Sequence, residues 1–266
     1  MTKSKMPVRI FCVANQKGGV GKTTTAINMA AALAALKQRV LLVDLDPQGN
    51  ATMGSGIDKN QVPSNIYHVL IGQVALKDSR VRSESGGYDV LPSNRELSGA
   101  EIDLVQMNDR EKQLKLALAT VADDYDFILI DCPPTLSLLT LNGLAAAHGV
   151  VIPMQCEYFA LEGLSDLVNT VKRVHRNINS DLELIGLLRV MFDARVTLQQ
   201  QVSQQIQAHF KEKVFETVIP RNVRLAEAPS HGMPGIVYDR NSRGAKAYIA
   251  LGKELMQRIK QQGVRT

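Results

Sequence analysis

Cysteine is scarce in this chain, tryptophan is absent, and no apolar run is long. The three cysteines among 266 residues, Cys12, Cys132 and Cys156, form no C-x-x-C pair and have no histidine cluster beside them. A structural zinc site or redox dithiol is therefore not expected. Cys12 and Cys132 fall within apolar runs, where free cysteine behaves as a small buried hydrophobe. No apolar run approaches the roughly 20 residues that span a bilayer. The first one, Ile10 to Ala14, follows Lys3, Lys5 and Arg9 but is too short for the core of a signal peptide. The expected location is cytoplasmic. There is no internal repeat, low-complexity tract or linker, so residues 1–266 read as a single domain with flexible ends at 1–7 and 262–266.

With 45% hydrophobic residues, the chain can bury a sizeable core. Apolar, β-branched-rich runs recur at Val8 to Ala14, Val40 to Asp44, Asp89 to Pro92, Phe127 to Asp131, Val150 to Met154, Leu184 to Met191 and Val214 to Pro220. Most are apolar throughout rather than alternating, as strands buried on both faces of a parallel sheet must be. Helix-like stretches lie between them at Thr23 to Leu36, Arg110 to Ala122, Leu136 to Ala147, Leu161 to Asn177, Leu198 to Phe210 and Gly244 to Gln261. Alternating strands and helices predict a doubly wound α/β fold with a mostly parallel sheet flanked by helices. The net charge of +5 comes from 31 basic and 26 acidic residues, and it is unevenly placed. Residues 1–150 hold 15 of each sign, whereas 221–266 hold nine basic and three acidic. A basic end on a neutral body suits a polyanionic partner, although a surplus of this size also suits an ordinary solvated surface.

After the first run comes Asn15-Gln16-Lys17-Gly18-Gly19-Val20-Gly21-Lys22-Thr23-Thr24, then an alanine-rich helix. Strand, glycine-rich turn and helix start together make a phosphate-binding loop: backbone N–H groups of Gly18, Gly19, Val20 and Gly21 can face phosphate oxygens. Lys22 supplies a point charge to the β- and γ-phosphates, and the Thr23 hydroxyl can ligate Mg²⁺. Thr24 completes the candidate nucleotide contacts. The second run ends in Asp44-Leu45-Asp46-Pro47-Gln48-Gly49, and another ends in Asp131-Cys132-Pro133-Pro134. Carboxylates at the C-terminal ends of parallel strands sit where ligands bind in open α/β sheets. Alternation along the strand aims Asp44 and Asp46 differently. An acidic turn without function is the competing reading, and a fairer one for Asp44 than for Asp46.

The general motif has glycine where this chain has Gln16, and this chain adds Lys17. On that departure the sequence resembles the ParA/MinD branch of P-loop ATPases, the deviant Walker A type. From Ile10 to about Lys260 it resembles the ParA/Soj group in particular, through LVDLDPQGNAT (Leu42 to Thr52), QCEYFALEG (Gln155 to Gly163), MFDAR (Met191 to Arg195) and VIPRNVRLAEAPSHG (Val218 to Gly232). The resemblance implies an ATPase that uses ATP and Mg²⁺ and forms a homodimer on ATP binding. It implies catalytic roles for Lys17, acting across the dimer, for Lys22, and for Asp46, orienting the attacking water. Thr23 with Asp44 and Asp131, the carboxylates through water, would hold the metal, and Pro220 and Asn222 would contact the adenine. It further implies non-specific double-stranded DNA binding through Arg195 and Arg224, stimulation by a ParB-like centromere-binding protein, and a nucleoid-associated location. No helix-turn-helix or zinc-finger pattern precedes the first strand, so sequence-specific autorepression is not expected.

Two other readings share the scaffold. A MinD-like membrane-associated positioning ATPase needs an amphipathic C-terminal anchor. The last helix has Tyr248, Leu251, Leu255 and Ile259 on related turns but no Trp or Phe, so the stripe reads as core packing and no membrane partner is expected. An iron–sulfur carrier needs cysteines placed to bridge a cluster, and Cys132 reads as buried.

Overall fold

A computed structural model describes residues 7–158 and 160–263 of the chain. Its seven strands are β1 (Arg9–Val13), β2 (Val40–Asp44), β3 (Val81–Ser83), β4 (Tyr88–Leu91), β5 (Phe127–Asp131), β6 (Gly149–Met154) and β7 (Glu183–Arg189). They form one sheet in the order β3-β4-β2-β5-β1-β6-β7, parallel except for the edge strand β3. The all-apolar runs are the central strands: β2, β5 and β6 are buried at every position, and β1 at all but its first. Successive residues serve opposite faces. Ile10, Cys12, Leu41, Val43, Ile128 and Ile130 belong to one core cluster, while Phe11, Val13, Leu42 and Leu129 belong to the other. That period of two requires helices on both sides.

The first face is covered by the helices Gln113–Ala119, Leu138–Ala146, Ala160–Asn177 and Thr197–Phe210. The second is covered by α1 (Lys22–Ala35) and the helix Arg243–Gly263, which pack together closely. A Cβ on Gly252 would lie 3.3 Å from Ala32 Cβ and from Leu36 Cδ1, so glycine sets that approach. Tyr248, Leu251, Leu255 and Ile259 are each at most 6% exposed, so the apolar stripe of the last helix is core. Among the described residues, no helix is long and apolar enough to cross a membrane. The last helix runs to Gly263, inside the span expected to be flexible. Residues 1–6 and 264–266 lie outside the described residues.

One expected strand is absent. The run Val214 to Pro220 lies beside β7 but pairs with it only in places, through isolated bridges at Leu187 to Val214 and Phe192 to Pro220 and a bond from Ile219 N to Arg189 O at 2.9 Å. Side chains take over its backbone. Glu254 accepts from the Glu216 and Thr217 N–H groups at 2.8 and 2.9 Å. Arg258 donates to Val214 O at 2.6 Å and Arg189 to Phe215 O at 2.8 Å. With those groups satisfied by a helix and a buried arginine, no continuous ladder forms. The expected helix Arg110 to Ala122 is also shorter, because Asp109 (φ 49°) and the turns after it delay its start to Gln113.

Candidate functional site

The phosphate loop leaves the C-terminal end of β1 and enters α1 through Gly19 and Gly21, both left-handed at φ 72° and 76°. Only glycine adopts such angles without strain. Gly21 caps α1 with no side-chain hydrogen bond, so no capping side chain occupies the first-turn N–H groups of this helix. Asn15 staples the loop base: its Nδ2 donates to Pro153 O at 2.8 Å and its Oδ1 accepts from Lys17 N at 2.9 Å. Lys22 is 7% exposed and donates from Nζ to Lys17 O at 3.0 Å. Burial lowers its pKa, and the nearby Asp131 and Asp46 carboxylates oppose that shift. Lys17 points elsewhere. Its ammonium is exposed and pairs with Glu157 at 2.5 Å.

Two carboxylates stand side by side at the ends of β2 and β5, where Asp44 is in register with Asp131. Asp44 is fully buried, and its Oδ2 accepts from both Thr52 N and Thr52 Oγ1 at 2.7 Å. Burial pushes its carboxyl up to about 6, against those hydrogen bonds. Asp131 is 1% exposed, and neither of its oxygens makes a hydrogen bond of good geometry, while the Thr23 hydroxyl and the Lys22 ammonium stand near enough to favour its charged form. Burial, then the Asp44 charge beside it, holds its carboxyl well above the usual range. Two orphaned oxygens on a buried acid are rare and costly unless a ligand completes them. Asp46 is half-buried and forms an Asx turn, Oδ1 accepting from Gln48 N at 2.9 Å. The turn is fixed by Gly49 (φ 63°), where a Cβ would sit 2.6 Å from Ser93 O. Among the described residues no three His, Cys, Asp or Glu side chains form a metal-binding group. All three cysteines are buried and free, which leaves the iron–sulfur reading without exposed ligands.

Beside the loop lies a cavity of about 150 Å³ lined by Thr24, Met191, Pro220, Asn222, Leu225 and Tyr248, among others. It joins the start of α1 to the Pro220-Arg221-Asn222 turn, so both expected base contacts line one pocket. Asn222 Oδ1 caps the helix Val223–Glu227 by accepting from Leu225 N at 3.3 Å. Tyr248 and Met191 were not among the expected contacts. Tyr248 comes from the last helix and shares a 3.1 Å hydrogen bond with Thr25 on α1, a pairing of sequence-distant residues that periodicity does not reveal. Met191 has left-handed φ 51°, a conformation uncommon for any residue but glycine.

The two expected DNA-contacting arginines are exposed and already paired. Arg195 grips Asp193 with a fork of bonds at 2.9 and 2.7 Å. Arg224 bonds Glu227 at 3.0 Å and approaches Asp239 at 3.5 Å. The structure thus brings Lys22, Thr23, Asp44, Asp46 and Asp131 close together at the strand ends and leaves Lys17, Arg195 and Arg224 on acidic partners at the surface.

The chain matches the model of a family described as AAA domain over residues 8–184. It is 53% identical over 247 residues to the sporulation initiation inhibitor protein Soj of Bacillus subtilis, covering 93% of this chain and 98% of that one. It is 51% identical over 250 residues to the chromosome partitioning protein ParA of Myxococcus xanthus, covering 94% and 88%. Among solved structures, cobyrinic acid a,c-diamide synthase from Mycobacterium smegmatis with bound ADP and magnesium superimposes with a TM-score of 0.84 at 40% identity, covering 95% and 96%. The cell division ATPase MinD of Pyrococcus furiosus shares the fold, with a TM-score of 0.78 at 24% identity over 94% and 98%.

Proposed function

Since this chain belongs to the ParA/Soj family of chromosome-partitioning ATPases, we propose that it is an ATP-switched DNA-binding dimer that hydrolyses ATP to ADP and phosphate. ATP enters with its phosphates on the Gly18 to Thr24 loop and its base in the Pro220 and Asn222 pocket. Two chains then close face to face around two nucleotides. The dimer holds double-stranded DNA through Arg195 and Arg224 without reading sequence. A ParB-like partner on centromere sites stimulates hydrolysis and so releases the dimer.

The orphaned Asp131 carboxylate beside Lys22 carries this reading most directly. A buried acid without partners fits a hydrated magnesium ion held mainly by substrate phosphates, because Mg²⁺ keeps several waters and takes only one or two carboxylates. Thr23, with Asp131 and Asp44 through water, would hold that ion, which when bound neutralises charge building on the phosphates. Asp44 is the more constrained of the two carboxylates, since Thr52 already occupies one of its oxygens. Lys22 supplies a fixed cation on the same side. Asp46 sits at the rim, half-exposed, where it can orient a water for in-line attack. Lys17 supports action across a dimer because its ammonium faces outward to Glu157 instead of its own loop.

The test is DNA binding by an Asp46→Ala chain with ATP, with ADP and with no nucleotide, across a salt series. Binding of random-sequence DNA with ATP alone, weakening steeply with salt as counterions are released, is the expected result. Absence of binding in every state removes the DNA half of the proposal.

A further inference from the structure

The segment that follows β6 touches the phosphate loop and the base pocket through one side chain. Gln155 Nε2 donates to Gly19 O at 3.2 Å and lies 3.2 Å from Met191 Sδ. Met191 lines the base cavity, and its Cε would lie 3.7 Å from a Cβ on Gly21. Its left-handed backbone holds the side chain in this place at a cost on the order of 1 kcal/mol or more, a kind of strain that clusters at functional sites. The end of β6, just before the Gln155 segment, is anchored from both sides: Asn15 donates to Pro153 O, and Val190 N donates to Met154 O at 2.9 Å.

A peptide unit is planar and trans, so its carbonyl and its N–H point in opposite directions. Holding the Gly19 carbonyl on the β6 side therefore turns the Val20 N–H to the other side, into the loop. Glycine leaves that peptide free to rotate unless something grips it. We infer that Gln155 is a positioning residue of the ATP site: its amide, seated between the Gly19 carbonyl and the Met191 sulfur, fixes the Gly19–Val20 peptide and ties the phosphate loop to the base pocket. A base packed on Met191 then steadies the amide that orients the loop, so the two ends of the nucleotide are recognised together. This rests on the ATP-binding reading above and assigns it a part that neither the loop motif nor the base turn contains.

The experiment measures the affinities of Mg-ATP and of adenosine for the wild-type chain, Gln155→Ala, Gln155→Glu, Met191→Leu and the Gln155→Ala/Met191→Leu double variant. Loss of one phosphate-orienting hydrogen bond predicts about a tenfold weaker Mg-ATP affinity in both Gln155 variants, with adenosine within about twofold of wild type. Met191→Leu keeps an apolar wall without the sulfur acceptor. It is expected to weaken Mg-ATP about two- to threefold and to add nothing once Gln155 is gone, as coupled neighbours do. Wild-type Mg-ATP affinity in the Gln155 variants overturns the inference, and so does an equal loss of ATP and adenosine, which marks a merely structural role. Additive effects in the double variant break the link to the base pocket. Failure of the wild-type chain itself to bind Mg-ATP removes the ATPase reading, and that result needs no variant.

Discussion

At the strand ends this chain buries carboxylates and leaves the Asp131 oxygens without a hydrogen bond, whereas on its C-terminal half it exposes Arg195 and Arg224 and gives both a carboxylate. The two arrangements cost different amounts. A buried, unpaired carboxylate is destabilising by several kcal/mol in principle, and either protonation or a cationic ligand offsets that cost. An exposed ion pair contributes about 0–1 kcal/mol, so a phosphate can displace the acid at little cost. The strand ends are thus costly without a ligand, while the two exposed ion pairs stabilise the fold very little. Lys17 belongs with the surface cations by its exposure and its Glu157 pair, yet its place is the phosphate loop.

That misfit makes Lys17 the sharpest test of the contrast. Lys17→Ala is expected to lose on the order of 10³ in hydrolysis, as loss of an arginine-finger cation does. Mixing it with a hydrolysis-dead chain that retains Lys17 should restore one competent site; an unrescued mixture places Lys17 in its own chain's site and breaks the comparison. Next in size is Asp131→Asn, expected to lower ATP turnover about a hundredfold or more. The same change should raise the melting temperature of the nucleotide-free, metal-free chain, because it removes a buried charge. A lower melting temperature would show that the carboxylate is satisfied after all.

Asp44 gives a pH signature of the same cost. Its folded carboxyl titrates at about 6, above the ordinary value of 3.8. The folded state therefore keeps the proton longer than the unfolded chain. Stability from this group is full below about pH 4 and is lost as pH rises through the window from about 4 to about 6, by ~3 kcal/mol at 1.36 kcal/mol per unit. Unfolding of metal-free wild type and Asp44→Asn across that window should give curves that converge toward acid pH and separate above it. Parallel curves would mean that the Thr52 hydrogen bonds cancel the effect of burial.

The crevice was largely legible in the sequence because it is built from contiguous signals. A glycine-rich loop and strands that end in aspartate announce their own geometry, and Lys22, Asp44 and Asp131 fall together as the parallel order requires. The cavity at Pro220 and Asn222 was anticipated only through resemblance. Pro220 and Asn222 lie on a turn whose strand-like run is held by Glu254, Arg258 and Arg189, and no local pattern encodes side chains that replace a ladder. Tyr248 and Gln155 escaped for a related reason, since each acts through a partner more than a hundred residues away. The acids beside Arg195 and Arg224 were visible as letters, but their pairing was not, because exposed side chains at short spacing have many rotamers.

Those pairs yield the smallest expected effect and the finest test of the surface half of the comparison. Arg195→Ala and Arg224→Ala should weaken binding of all DNA sequences about equally and leave ATP binding intact. Neutralising the partners should do the reverse. Asp193→Asn frees the Arg195 fork, and Glu227→Gln frees Arg224 from its nearer acid while leaving Asp239 in place. Each change removes one negative charge from the exposed face without touching the nucleotide site. DNA affinity in the ATP state should therefore rise a few-fold at low salt and merge with wild type at high salt, where screening shortens the reach of the surface charge. Asp193→Asn should have the larger effect, because Arg195 has one acidic partner in the structure and Arg224 has two. Equal affinities in all four chains at every salt concentration would mean that DNA contacts neither arginine, and the polyanion site would then have to be sought among the chain's other basic residues.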